Sequence, residues 1–240
     1  DFDNFEDQLQ RNTKMFLLCN PQNPVGRVYR RDELEQLAAL CLRHNVIICS
    51  DEIHGDLVFQ GHRHIPIGSI DSEISARSIT LHAPSKTFNI AGLKCAFAVI
   101  PDRELRRQFT HNLGVRLGSA NSLGFTAALA AYQAGEKWLD ELLMHLENNR
   151  DILFEFIQNF MPGIRTTHPE GTYLAWLDCS SLHLKPSPHQ FFLDNARVAL
   201  NDGSTFGPGG ENFVRMNFGC TRSMLLEGLE RMRSALGKRD

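Results

Sequence analysis

A single lysine on a short polar turn is the residue best suited to covalent chemistry. The segment Ser85–Leu93 reads Ser-Lys-Thr-Phe-Asn-Ile-Ala-Gly-Leu, and it follows the apolar run Ser78–Ala83. A lysine amine becomes a covalent catalyst when its neighbours lower its pKa, and it then forms a Schiff base with a carbonyl carbon. Most lysines are solvated surface charges, so Lys86 needs support from other motifs before it is assigned to catalysis.

Two upstream motifs supply that support. Residues Asn20–Arg27 read Asn-Pro-Gln-Asn-Pro-Val-Gly-Arg, and residues Ser50–His54 read Ser-Asp-Glu-Ile-His. Asn20, Asp51 and the turn before Lys86 each follow a predicted strand. Ligands collect at the carboxyl ends of the strands in open α/β sheets, so we expect one crevice to receive all three.

The motifs resemble those of the pyridoxal phosphate (PLP)-dependent aminotransferase superfamily of fold type I. Within it they are similar to the MalY/PatB-type branch of cystathionine β-lyases and cysteine desulfhydrases. Segments Pro169–Asp178 and Phe213–Phe218 extend the resemblance over nearly all of the chain. It implies the aspartate aminotransferase type of α/β fold: part of a large domain with a mostly parallel sheet, then a small α+β C-terminal domain. It also implies PLP, a small amino-acid substrate and a homodimer.

The resemblance gives three residues central roles. Lys86 would form the Schiff base with PLP and later act as general base at the substrate Cα. Asp51 would pair with the pyridinium nitrogen, which keeps the ring able to accept electrons. Asn23 would donate to the phenolic oxygen of PLP and lie beside the substrate. A turn or helix-cap role for Asp51, and a plain proline-rich turn around Asn23, are the alternatives.

Four further residues receive roles by resemblance. His54 stands where many relatives carry a tyrosine that reaches the phenolic oxygen, and a buried structural histidine is the alternative. Ser85 resembles a phosphate contact of the family. Lys94 stands where many relatives have an arginine that binds the phosphate, and it keeps the charge of that arginine without its bidentate fork. Arg215 resembles the arginine that binds the substrate α-carboxylate. Residues 201–207 resemble a loop that closes over the site, and a plain glycine-rich turn is the alternative.

These roles predict a PLP-dependent carbon–sulfur β-lyase that converts cystathionine or cysteine to pyruvate, ammonia and a thiol. An aminotransferase is the alternative on the same scaffold, because the two reactions share their first step. A catalytically silent fragment that binds a partner is a third possibility, since fold alone does not fix function. Residues 1–19 lack the phosphate-binding loop and the ring-stacking aromatic of the family. We therefore expect a C-terminal part of a longer enzyme that binds PLP poorly by itself.

Composition excludes several other classes of protein. The 240 residues are 42% hydrophobic and 22% charged, with a net charge of −3, which gives no electrostatic case for binding nucleic acid or membrane. The six cysteines form no Cys-x-x-Cys pair and lie mostly in apolar runs, which favours a reducing cytoplasm. His62 and His64 form a weak metal candidate, and a solvated loop is the favoured interpretation, so no metal site is predicted.

Hydrophobic periodicity predicts alternating strands and helices in the first half of the chain. The predicted elements are strands at 15–19, 46–49, 79–82 and 95–100 and a helix at 32–44, then mostly helix over 102–160, strands near 173–177 and 213–218, and helices near 188–195 and 222–236. We place a domain boundary inside the long helix. The predicted domains are residues 1–145, the C-terminal part of a large PLP-binding domain, and residues 146–240, a small C-terminal domain.

Overall fold

The chain forms two compact units. The computed structural model describes residues 1–10, 12–117 and 119–238, with the backbone alone at 115–117. One unit comprises residues 1–21 and 28–140, and the other comprises residues 22–27 and the chain from 141 onward. The short segment Gln22–Arg27 thus belongs with the C-terminal unit, which the sequence did not predict. The domain boundary near residue 145 stays a prediction.

The first unit is an α/β layer structure. Its elements are α1 (Phe2–Leu9), β1 (Met15–Cys19), α2 (Arg31–Arg43), β2 (Ile47–Asp51), α3 (Ser72–Ala76), β3 (Ser78–His82), α4 (Pro84–Thr87), β4 (Phe97–Val99), α5 (Arg103–Leu117) and α6 (Ser122–Ala134). Helix α7 (Glu136–Phe160) begins in this unit and continues in the other.

The sheet of this unit is mostly parallel, as predicted. Its strand order is β1-β2-β3-β4, and β1–β2 and β2–β3 are parallel. Cys19, Asp51 and Leu81 are register partners across the three parallel strands, so their carboxyl ends share one edge. Strand β4 is antiparallel to β3. A parallel return usually runs through a helix that crosses the sheet, whereas the link here holds only the one-turn α4 and a 3₁₀ turn.

Both faces of this sheet carry apolar side chains. Because side chains alternate along a strand, Ile48 and Cys49 face opposite sides. Ile48 belongs to a core beneath α2, which also contains Leu18, Leu34, Leu37, Ala38 and Cys41. Cys49 packs on the other side with Ile79 and Ile100, against Phe109 of α5. Four of the six free cysteines are buried, in agreement with the prediction that they behave as small hydrophobic residues.

The second unit is built on an antiparallel sheet of order β5-β6-β8-β7. Its elements are β5 (Arg165–Thr166), β6 (Leu174–Asp178), α8 (Pro188–Ala196), β7 (Asn201–Asp202), β8 (Phe213–Asn217) and α9 (Arg222–Leu236). In this register Arg215 of β8 lies opposite Trp176 on one side and Asn201 on the other. In the part of the chain that the structure describes, no helix is long and apolar enough to cross a membrane.

Candidate active site

Asp51 is the last residue of β2, at the sheet edge where the parallel strands end. Its carbonyl oxygen accepts a hydrogen bond from Asn20 N at 3.0 Å, which ties β2 to the end of β1. Its carboxylate oxygen Oδ1 accepts from Ile53 N at 3.2 Å. The carboxylate is half-buried and turned into the loop after the strand. A turn role and a ligand role for Asp51 are therefore compatible.

A cavity of about 560 Å³ opens beside this edge. Asp51, Ile53, His82, Lys94 and Phe97 are among the residues that line it. Lys94 is exposed and has a φ of 50°, in the left-handed region, where the 3₁₀ turn before it ends. One cavity thus offers a carboxylate and an ammonium group to a ligand that carries both a cation and an anion.

Lys86 lies in α4, a single helical turn that the sequence did not predict. Pro84 occupies the first turn, where its missing N–H costs no hydrogen bond. Ser85 and Lys86 are half-buried, while Thr87 is fully buried. The Ser85 carbonyl accepts from Ile90 N at 3.2 Å, which closes the turn behind the lysine. The turn is thus anchored on one side of Lys86 by Thr87 and on the other by Pro84.

A polar network beside Lys86 was missed from the sequence. Thr87 Oγ1 donates to Asp56 Oδ2 at 3.0 Å, and His82 Nε2 lies 4.0 Å from the same oxygen. The hydroxyl of Tyr132 is 3.1 Å from His82 Nδ1, and the His82 ring stacks on Phe97 with centroids 5.4 Å apart. Burial, together with the charge of Asp56, raises the pKa of Tyr132 to about 12, so the phenol stays protonated while it shares a hydrogen bond with the imidazole.

His54 and His64 are both packed inside the protein, and only for His64 did the sequence indicate otherwise. His54 is 3% exposed in the turn after β2, three residues beyond Asp51. His64 Nε2 lies 2.8 Å from Oε2 of the buried Glu52, whose other oxygen accepts from Ser50 Oγ and Ile67 N. The interpretation of His64 as part of a solvated loop is wrong, because Glu52 draws it inward. Among the residues that the structure describes, no group of three or more His, Cys, Asp or Glu could hold a metal ion.

Arg215 forms a second site, within the C-terminal unit. Its Nη1 donates to Asn23 Oδ1 at 2.8 Å, and its Nη2 donates to Asn201 Oδ1 at 3.0 Å. The Arg215 guanidinium carbon lies 4.9 Å from the centroid of the Phe206 ring. Two neutral amides and an aromatic face thus fix the guanidinium plane without neutralising its charge.

One donor of this guanidinium is unmatched. Arg215 Nε is buried and has no hydrogen-bond partner among the described residues. Burial lowers the pKa of Arg215, although the group remains a cation at any physiological pH. A buried N–H without an acceptor is costly, and a planar carboxylate is the acceptor that best matches a guanidinium fork. The arrangement is suited to binding a carboxylate.

Aromatic side chains border Arg215. Trp176 stacks on Phe213 with centroids 5.1 Å apart and meets Phe206 edge-on at 5.2 Å. Phe206 belongs to the predicted loop of residues 201–207, which forms strand β7 and a 3₁₀ turn over Gly203–Phe206. A carboxylate bound here would sit in a partly apolar environment, where its interaction with Arg215 is stronger than in water.

Comparison with known proteins identifies the family. The model of the family described as aminotransferase class I and II matches residues 1–232. The chain belongs to this family. All five motifs that carried the resemblance lie within the matched residues, so the aminotransferase-type fold inferred from them is confirmed.

Members of the family resemble the chain over most of its length. Cystathionine β-lyase PatB of Bacillus subtilis is 42% identical over 239 residues, which cover 98% of this chain and 62% of PatB. Protein MalY of Escherichia coli is 38% identical, covering 93% of this chain and 57% of MalY. Cystalysin of Treponema denticola, whose structure contains a pyridoxal 5′-phosphate cofactor, superposes with a TM-score of 0.95 at 35% identity, covering 99% of this chain and 61% of cystalysin. The chain therefore spans 57–62% of the length of these aminotransferase-family relatives.

Proposed function

We propose that the chain acts as a PLP-dependent carbon–sulfur β-lyase on an amino acid such as cystathionine or cysteine. The observation that carries the proposal is the Arg215 guanidinium, which two asparagines hold with a buried Nε–H left for a carboxylate. The likeness to PatB, a cystathionine β-lyase, favours the lyase over other reactions of the family. The fit to the cystalysin structure supports PLP as the cofactor.

The residues of the first unit fit the two ends of PLP. Asp51 and Lys94 line the same cavity, so a carboxylate is available to the pyridinium nitrogen and a cation to the phosphate. Ser85 and Lys86 lie on the adjacent half-buried turn, where Ser85 would contact the phosphate and Lys86 would hold the aldehyde carbon. His54 is proposed for the phenolic oxygen, and Asn23, which belongs to the C-terminal unit, is proposed for the same oxygen by resemblance to the family. When bound, the cofactor stores the electron pair released at the substrate Cα.

The chain's own residues carry the remaining steps. Arg215 binds the α-carboxylate and Lys86 removes the proton from Cα. The Cα–H and Cβ–S bonds break, the sulfur leaves as a thiolate, and water hydrolyses the released enamine to pyruvate and ammonia. The Asp56–His82–Tyr132 network lies next to Lys86 and holds the turn that aims its amine.

The products of the reaction test the proposal. Purified protein is incubated with PLP and cystathionine, and pyruvate, thiol and keto acids are quantified with and without an added 2-oxo acid. The proposal predicts pyruvate and a thiol in equal amounts, without need of an oxo acid. An aminotransferase, which the family model also covers, would form a sulfur-containing keto acid only when the oxo acid is present.

Asp51→Asn is expected to slow the reaction much more than it destabilises the fold. The cofactor ring would lose the charge that keeps its nitrogen protonated. A charge-assisted hydrogen bond is worth about 1.5–3 kcal/mol, which corresponds to roughly one to two decades in kcat. The measurement is kcat of the PLP-loaded variant together with its melting temperature, with Asp7→Asn on the exposed face of α1 as control. Unchanged turnover in Asp51→Asn would contradict the role of Asp51.

We further propose that the protein is a homodimer that uses α6. This helix is mostly apolar, yet Gly124 is the only one of its described residues that is buried. Its exposed large side chains include Leu123, Phe125 and Leu129, which are 69%, 60% and 59% exposed. Apolar helices of this kind are typically covered by a partner. We also propose a cytoplasmic location, because free and mostly buried cysteines suit a reducing compartment.

Phe125→Asp is expected to convert the dimer to a monomer, because a charge at the interface would lose its water without gaining a partner. The mass in solution, measured by light scattering, should fall by half. Leu226→Asp, at an exposed apolar position of α9, should leave the mass unchanged. The same mass for Phe125→Asp and the unmodified protein would contradict an interface at α6.

A further inference from the structure

Arg150 is a buried cation far along the sequence from the Arg215 site. It lies on α7 and is 7% exposed. Its Nε donates to Asp151 Oδ1 at 2.8 Å, its Nη1 donates to the carbonyl of Pro169 at 3.3 Å, and Glu147 lies 3.7 Å from Nη2. Burying a guanidinium is costly unless its charge and its donors are matched. Here two carboxylates match the charge, and one donor is aimed at the backbone of a turn.

The Pro169–Gly171 turn binds the segment Gln22–Arg27, which carries Asn23. The backbone N–H groups of Glu170 and Gly171 both donate to the Gly26 carbonyl, at 2.8 and 3.0 Å. Thr167 Oγ1 donates to the carbonyl of Val25 at 3.2 Å. Gly26 has a φ of 75°, and a Cβ there would lie 2.7 Å from Pro169 Cβ. Only glycine allows the two segments to approach so closely.

Hydrogen bonds within the segment Gln22–Arg27 make it rigid. Gln22 N donates to the Arg27 carbonyl and Gly26 N donates to the Gln22 carbonyl, both at 2.7 Å. The side chain of Gln22 also accepts from Val25 N at 3.2 Å. Because these bonds link both ends of the segment, a shift at Gly26 moves Asn23 with it. Asn23 Oδ1 is the acceptor that orients Nη1 of Arg215.

We propose that Arg150 is a positioning residue: through the Pro169–Gly171 turn and the Gly26 carbonyl it holds Asn23 against Arg215, and so sets the affinity of Arg215 for a carboxylate. The proposal rests on the proposed function, which assigns the substrate carboxylate to Arg215. A purely structural role would instead make Arg150 matter for the stability of α7 and the turn, without any preference for charged over uncharged ligands.

The test compares butyrate with the uncharged butyramide. Both are titrated calorimetrically or by NMR into the purified unmodified protein and into Arg150→Gln. The proposal predicts that Arg150→Gln raises the Kd for butyrate about tenfold and leaves that for butyramide within about twofold. Arg165→Gln is the matched control, because Arg165 pairs with Asp178 on the surface of the same unit, and it should change neither Kd.

Two further variants extend the test, and the first of them remains usable if Arg150→Gln folds poorly. Thr167→Val removes one exposed hydrogen bond to Val25 and should raise the Kd for butyrate about two- to threefold. Arg150→Gln added to Asn23→Ala should bind butyrate no more weakly than Asn23→Ala alone, since both act on the same contact. Additive losses, or equal losses for butyrate and butyramide, would overturn the positioning role.

Failure of the proposed function has a different signature. If the unmodified protein itself does not prefer butyrate to butyramide, Arg215 is not a carboxylate site, and the positioning role falls with it. If the unmodified protein prefers butyrate and Arg150→Gln keeps the full preference, only the positioning role is wrong.

Discussion

Replacing Lys86 with alanine is expected to lower kcat/KM for carbon–sulfur cleavage by about 10²–10⁴-fold, because the group that removes the Cα proton is lost. The residue is half-buried on α4, and the buried Thr87 beside it holds the turn, so the variant should keep its fold. Activity is followed as pyruvate released from cystathionine at saturating PLP. An exogenous amine should restore part of the activity, since it replaces the missing base.

Lys14→Ala is the matched control for this experiment. Lys14 is exposed and immediately precedes β1. Its backbone carbonyl accepts a hydrogen bond from Ile47 N, which a change of side chain leaves in place. Its kcat/KM should therefore equal that of the unmodified protein. If Lys86→Ala turned over as fast as Lys14→Ala, Lys86 would not be the catalytic base.

Arg215→Gln is expected to lower kcat/KM by about 10²–10⁴-fold, mostly through KM. A carboxylate bound by the fork would lose two charge-assisted hydrogen bonds, each worth about 1.5–3 kcal/mol. The loss should be specific to substrates with a free α-carboxylate. For an α-carboxamide analogue, kcat/KM of Arg215→Gln and of the unmodified protein should differ by less than about threefold, because neither protein can pair a charged guanidinium with a carboxylate on this substrate.

Arg165→Gln again serves as the control, because Arg165 is an exposed arginine of the same unit. Its kcat/KM should be unchanged for both substrates. Equal losses in Arg215→Gln for the carboxylate and the carboxamide would indicate a general structural defect and would contradict the carboxylate role.

Local sequence patterns predicted most of the helices and strands. Helix α9 spans Arg222–Leu236 as predicted, since its apolar period and its Thr221 cap are both local signals. The strand ends at Cys19, Asp51 and His82 were placed to within two residues. The single turn α4 was missed because four residues are too few to display a helical period.

Local patterns could not predict the contacts between segments that are far apart in the sequence. Nothing near Gly26 indicates that Glu170 and Gly171 will bind its carbonyl, because 144 and 145 positions separate them in the numbering. The contacts of Asp56 and Tyr132 beside the Lys86 turn were missed for the same reason, because the partners meet only in the folded sheet and α6. The polar His82, which follows Leu81 at the end of β3, was a local signal that could have drawn attention to this network.

Reduction with borohydride tests the central claim most directly. Purified protein is mixed with a large excess of PLP, because weak binding is expected of this chain alone. It is then treated with borohydride to fix any bond between the cofactor and an amine, digested, and mapped by mass spectrometry. We predict a phosphopyridoxyl group on Lys86, with Lys14, Lys94 and Lys137 unmodified. A stoichiometric label on any of those three lysines, with Lys86 unmodified, would contradict the assignment of the cofactor lysine and the lyase mechanism built on it.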